Sequence, residues 1–263
     1  MNEKAVPVIN YSDDGTGKCI VLLHGFLESD DIWNDYVDKL SEHYRVICVD
    51  LPGHGLSSVL ADEHSMDMMA EEVYNILEIL GVRKILLVGH SMGGYVSCAF
   101  AAKYPELLKG LVLLHSQAAD DSDEEKLNRD RTIEIVEKDK ASFIAQFTPS
   151  LFAPANLEKF QKEVDALKAI ALDTPKEGIL AALRGMKSRR NHVETIKELK
   201  IPVMVIAGDQ DSRIPLEKIK GQFGSSPHIR LEVIKGCGHM GFVEASAQVL
   251  QLIQEMAQKA FKK

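Results

Sequence analysis

The chain has 263 residues, 45% hydrophobic and 27% charged, close to the ~45–50% and ~25% of ordinary globular proteins, which excludes disordered, collagen-like and low-complexity chains. Its 31 Lys+Arg against 39 Asp+Glu give a formal charge of −8, so no general field draws phosphate backbones and nucleic acid is a poor candidate partner. At ~150 residues per domain, the length suits one core with an insertion.

The N-terminal stretch Met1 to Pro7 lacks the basic start and long apolar core of a signal peptide. Cys19, Cys48, Cys98 and Cys237 are scattered and form no C-x-x-C pair, which predicts reduced, buried thiols in a cytoplasmic protein. Along the chain, short apolar runs alternate with helical patterns. The runs are 19–23, 45–49, 84–88, 110–114, 202–206 and 229–234. Most are continuously apolar, as strands covered on both faces of a parallel sheet must be.

Between the first two runs, Ile32, Trp33, Tyr36, Val37 and Leu40 mark one helical face. Between the next two, Met66, Met69, Val73, Ile76, Leu77 and Leu80 do the same, with Gly81 placed to end the helix. Residues 85–102 carry no Asp, Glu, Lys or Arg, a length that would just span a membrane. Gly89-His90-Ser91-Met92-Gly93-Gly94 sits in their middle, so strand, sharp turn and helix is the better reading, with no membrane partner. Past residue 114 the alternation stops. Helical patterns at 133–147, 157–171, 178–186 and 193–199 predict a helical cap, 118–198, inserted into a core of 1–117 and 199–263. Such an insertion would lie over the carboxyl edge of the sheet, where open α/β folds bind ligands. The acidic run 120–125 that opens it reads as a solvated helix start. Val249, Leu250, Ile253 and Met256 stripe a last helix.

Gly89-x-Ser91-x-Gly93 carries the sharpest chemical signal, because it follows an apolar strand and precedes a helix. That is the setting of a nucleophile elbow, a tight turn that exposes the serine oxygen and needs glycines where strand and helix approach. The helix start directs the Met92 N–H toward any oxyanion that forms. A serine needs a base, and the chain order of this fold puts it last. His192 lies in the insertion and His228 at the wrong end of a strand. His239, in the Gly-rich loop after 229–234, lies at the edge where Ser91 emerges. For the orienting acid, Asp211 in Gly208-Asp209-Gln210-Asp211 is preferred, with Asp209 as a loop cap and Asp120 a remote third choice. The Phe26 N–H, in the loop after 19–23, is the second oxyanion donor. His24, His54 and His90 read as structural.

With these residues the sequence resembles the serine α/β-hydrolase superfamily over nearly its whole length. Leu23-His24-Gly25-Phe26, the 50–55 segment, Gly89 to Gly94, Gly208 to Asp211 and Gly238-His239 fall in family order. The resemblance implies an α/β-hydrolase fold. Its sheet would have eight strands, mostly parallel, with helices on both faces and a cap after the sixth strand. Ser91 stands where haloalkane dehalogenases and epoxide hydrolases of the superfamily carry aspartate. Met92 replaces the Trp usual in proline iminopeptidases. His90 and Tyr95 depart from the Tyr and Arg usual in the menaquinone-pathway lyase. A carboxylesterase-like hydrolase of small to medium acyl substrates, needing neither metal nor cofactor, is the expectation that follows. C–C bond, lactone or thioester hydrolysis, perhydrolysis, a lyase-like reaction and ligand reception are the alternatives. Phe26, Phe143, Phe147, Phe152 and Met186 are the expected substrate contacts, with Leu151, Leu157 and Phe160 as further candidates. Lys187, Arg189 and Arg190 read as a solvated basic face or, failing that, as a site for an acidic substrate. Oligomeric state is not legible.

Overall fold

Continuously apolar runs can only be strands if both faces are covered, and in this chain they are. The structure, a computed structural model, describes residues 7–262. It runs β1 (Tyr11–Asp14), β2 (Cys19–Leu23), α1 (Asn34–Leu40), β3 (Arg45–Val49), α2 (Met66–Ile79), β4 (Ile85–His90), α3 (Met92–Lys103) and β5 (Leu108–Leu114). Four helices follow without a strand: α4 (Asp123–Phe147), α5 (Gln161–Asp173), α6 (Lys176–Lys187) and α7 (Val193–Glu198). The chain ends with β6 (Val203–Gly208), α8 (Leu216–Phe223), β7 (Ile229–Ile234), α9 (Gly241–Glu244) and α10 (Ser246–Ala260).

The sheet has the order β1-β3-β2-β4-β5-β6-β7, antiparallel only at β1. Alternate residues of each strand enter opposite cores. Val21, Leu23, Leu87 and Val205 pack with α2 and α3, whereas Ile20, Leu22, Val88 and Ile206 pack with Trp33, Tyr36 and α10.

Two expectations need correction. Seven strands, not eight, are present among the described residues, so the helical insertion follows the fifth strand rather than the sixth. The segment ahead of β1 spends its hydrogen bonds elsewhere: Val8 and Asn10 bond to Ser57, Ser58 and Asp50 instead of to a ladder. The strand β1 itself went unforeseen, since Tyr-Ser-Asp-Asp has no apolar pattern. Helix α4 starts at Asp123, ten residues before its apolar stripe, because Ser122 and Glu125 form a reciprocal capping box. It breaks at Asp139, whose carboxylate bonds the Ser142 N–H and hydroxyl and restarts the helix.

Topology places the site. The chain leaves β2 to one side for β3 and returns to its other side for β4. Ligands of open α/β sheets bind outside the carboxyl ends of strands at such a reversal. Leu23 and Gly89 pair in register, so the loop holding Phe26 and the turn holding Ser91 emerge side by side.

Candidate active site

Ser91 sits between β4 and α3 with φ 49° and ψ −113°, a conformation that costs roughly 1–3 kcal/mol and persists only where the surroundings impose it. The imposition is visible. A Cβ on Gly89 would lie 2.3 Å from the Gly93 carbonyl oxygen, and one on Gly93 2.5 Å from that of Leu23. Only glycine lets α3 start this close to the sheet. Leu27, Ser91 and His115 are the three non-glycine residues with left-handed backbone among those described. They follow β2, β4 and β5, which concentrates strain around one point.

The three sequence-derived residues meet there. His239 Nε2 lies 2.8 Å from Ser91 Oγ, and its Nδ1 lies 2.8 Å from Asp211 Oδ2. With the proton on Nδ1, His239 donates to Asp211 and accepts from the serine hydroxyl. Asp211 Oδ1 accepts from the Arg213 and Ile214 N–H groups at 2.8 and 2.9 Å. Burial alone would raise the Asp211 carboxyl. The facing His239 charge and the bonds from both histidines outweigh it and hold that carboxyl well below its usual range. The Phe26 and Met92 N–H groups donate to no protein acceptor among the described residues, which leaves both available to an oxyanion. Asp209 instead accepts from the Gly236 N–H at 2.7 Å and ties the neighbouring loops. His192 lies just before α7 and His228 just before β7, away from this cluster.

Two residues of the site carry no motif and were missed. His115 follows β5, the strand between those that lead to Ser91 and Asp211, and its Nδ1 lies 3.3 Å from the same Asp211 Oδ2 that holds His239. Glu28 is buried, accepts from the Gly25 N–H at 2.5 Å and lies 3.0 Å from His90 Nδ1. His90 Nε2 in turn faces the His239 carbonyl at 3.0 Å. Both ring nitrogens of His90 thus face acceptors, which suits an imidazolium. Burial opposes that charge, but the adjacent Glu28 carboxylate prevails and raises the His90 pKa, while Glu28 itself is lowered. This ion pair links the Phe26 loop to the His239 loop, so His90 is structural in a specific sense. His24 is too: its Nε2 accepts from the Leu51 N–H at 2.9 Å. The donor atoms of His115, Asp211 and His239 lie within 4.8 Å of one another, a spacing that their hydrogen bonding accounts for.

Glu28→Gln should lower stability by about 3 kcal/mol, since removing one member of a buried pair strands the other charge. Urea unfolding of the two proteins checks this, and an unchanged midpoint would count against the pair. A second expectation concerns acid. His24, His54 and His115 are lowered chiefly by burial, His54 to about 3. Each takes up its proton in the fold only at lower pH than its unfolded counterpart, which protonates below ~6.5. Each such group removes about 1.4 kcal/mol of stability per pH unit below that value. His90, raised, is protonated in fold and unfolded chain alike below ~6.5 and adds no slope there, whereas Asp30, pushed up to about 7 chiefly by burial, takes up its proton in the fold first and offsets one of them. Stability should therefore fall by up to about 2–3 kcal/mol per unit between pH 6 and pH 5; a flat unfolding free energy over that window would contradict it.

A cavity of about 240 Å³ opens over Ser91 and His239, walled by Phe26, Phe143, Phe147, Leu183 and Met186. The helical insertion supplies all but the first. Phe152 does not line it. The 3-10 turns on either side of Phe152 carry its ring into the opposite core, 6.5 Å from Phe160. Leu151 and Leu157 pack there as well, and the Leu151 carbonyl accepts from the His239 N–H at 2.7 Å. Two charge readings also change. Asp121, inside the acidic run, is buried and takes both Arg129 at 3.0 Å and Arg189 at 2.5 Å. Arg189 is therefore no solvated residue, and its guanidinium lies 4.2 Å from the Tyr95 ring centre. Lys187 and Arg190 do lie outside, paired with Asp130 and Asp67. All four cysteines are free and buried, and burial pushes each thiol up to about 12. No helix among the described residues is long and apolar enough to cross a membrane.

Comparison with known proteins adds the following. A family model described as alpha/beta hydrolase fold matches residues 18–246. The solved thermophilic esterase of Thermogutta terrifontis, in a malate-bound form, is 32% identical with a TM-score of 0.91. That match covers 97% of this chain and 94% of the esterase. A 2-hydroxy-6-oxononadienedioate/2-hydroxy-6-oxononatrienedioate hydrolase of Burkholderia vietnamiensis is 27% identical over 275 residues, 95% of this chain and 91% of its own. The enol-lactonase of Burkholderia xenovorans, 19% identical with a TM-score of 0.87 over 94% and 95% of the two chains, shares the fold.

Proposed function

This chain belongs to the α/β-hydrolase fold family, and on that premise we propose that it hydrolyses carboxylic esters through an acyl-serine intermediate. The observation that carries the reading is the continuous Ser91–His239–Asp211 hydrogen-bond chain, 2.8 Å at each link, at the floor of an apolar-walled cavity.

In this mechanism His239 Nε2 takes the Ser91 proton as Oγ attacks the ester carbonyl. Asp211 keeps the ring in the accepting tautomer and stabilises the imidazolium. The Phe26 and Met92 N–H groups receive the oxyanion, each donor contributing ~2.7–4 kcal/mol in comparable sites. His239 then returns the proton to the departing alcohol, and a water activated by the same imidazole releases the acid. Residues 118–198 act as a cap that sizes the acyl pocket, and the substrate is a small to medium acyl ester, with neither nucleic acid nor membrane as partner.

A chromogenic ester series from two to sixteen carbons, wild type beside Ser91→Ala, tests the reading. Turnover confined to wild type and to shorter chains supports it. Absence of turnover on every ester would favour C–C bond hydrolysis, the reaction class suggested by the Burkholderia vietnamiensis relative's name.

A further inference from the structure

We infer that Arg213 and Arg129 form an anion-binding wall of the cavity over Ser91, and that the preferred substrate is an ester whose acyl chain bears a second, uncleaved carboxylate. The inference rests on the ester reading and narrows it to a substrate class.

Both arginines border the cavity that holds Ser91 and His239. Arg213 stands two residues beyond Asp211, and its backbone N–H bonds to that carboxylate. Its guanidinium makes no hydrogen bond to Asp211. The guanidinium carbon lies 4.7 Å from the Phe147 ring centre, and Nη2 donates to the neutral Ser150 hydroxyl. Among the described residues, no carboxylate oxygen comes within 4 Å of this guanidinium, whereas Arg129, Arg189 and Lys218 each hold one. A planar fork of five donors with a neutral partner and an aromatic floor retains the geometry that receives a carboxylate in two parallel bonds.

The charge balance points the same way. The two carboxylates that border the cavity are already engaged. Asp121 is held by Arg129 and Arg189, and Glu125 by Lys218 and the Ser122 N–H. Adding Asp211, three carboxylates meet four fixed cations in this region, within a chain whose formal charge is −8. Arg213 is solvent-exposed at its rim position, and partial burial lowers its guanidinium most, with the pull of Asp211 opposing this and the nearby Arg129 charge adding to it. An anion seated between the two arginines relieves that repulsion. The wall around Ser91, made of Phe26, Phe143, Phe147 and Met186, suits the short apolar spacer between the scissile carbonyl and this second carboxylate.

The test compares monomethyl glutarate and monomethyl adipate with methyl pentanoate and methyl hexanoate, followed by NMR in wild type, Arg213→Met and Arg213→Lys. Wild type should prefer the acidic esters. The acidic-to-neutral ratio of kcat/KM should fall about tenfold or more in Arg213→Met, as expected for loss of one charge-assisted hydrogen-bonded pair, with partial recovery in Arg213→Lys. An equal ratio in wild type and Arg213→Met overturns the inference. If wild type cleaves none of the four esters, the ester reading fails, and calorimetric binding of monomethyl glutarate to Ser91→Ala decides the wall separately. Binding weakened about tenfold by adding Arg213→Met sustains it; binding that is absent or unaffected overturns it.

Discussion

Ser91→Ala should reduce kcat for ester hydrolysis by about 10⁴–10⁶-fold while leaving the fold in place. The magnitude follows from what the hydroxyl does. It supplies the only atom that can form the acyl intermediate under His239, and removing it leaves only the oxyanion donors and substrate binding, which give a residual ~10³–10⁴ over water. The fold should hold because alanine removes no hydrogen bond except the one to His239 Nε2. Backbone strain at φ 49° is not relieved, since alanine has the same Cβ as serine. Thermal midpoints within a few degrees of wild type, with rates at the solvent baseline, are the expected pair of readings. Retention of more than a hundredth of the wild-type rate would remove Ser91 from the mechanism.

Asp211→Asn is the second large effect, with an expected loss of about 10³–10⁴ in kcat. Four donors converge on this carboxylate: the His239 and His115 imidazoles and the Arg213 and Ile214 N–H groups. A carboxamide offers one acceptor oxygen and one NH2 group, so it must turn a donor toward another donor. The least constrained response is for an imidazole to change tautomer. If that ring is His239, Nε2 carries the proton and can no longer accept one from Ser91. The imidazolium formed during attack also loses its counter-charge. His115 makes the consequence specific to this chain. Adding His115→Phe to Asp211→Asn should recover part of the lost rate, because one competing donor is gone. A loss below about 30-fold in Asp211→Asn would show that Asp211 neither orients nor stabilises the base.

The strands that carry the site were legible to within two residues, because burial on both faces forces unbroken apolar runs and the turns between them need glycine. The Ser91, Asp211 and His239 loops were legible for the same reason: each is fixed by the end of a strand whose pattern is strong. What lacked a pattern was missed. Strand β1 is polar and edge-placed. His115 and Glu28 act through partners 96 and 62 residues away, a relation that no local period records. Phe152 lies outside the cavity because it falls between two helical patterns, where 3-10 turns that no period records direct its ring into the opposite core. Arg189 and Asp121 looked solvated because charged residues in runs usually are, yet each neutralises the other inside the insertion.

The most direct test of the account is covalent labelling of the native protein with a fluorophosphonate ester, followed by mass spectrometry of its peptides. The account predicts one phosphonyl adduct per chain, on Ser91, with loss of ester hydrolysis in proportion to labelling and no adduct in Ser91→Ala. Stoichiometric labelling of another residue, or full activity after Ser91 is modified, would contradict it.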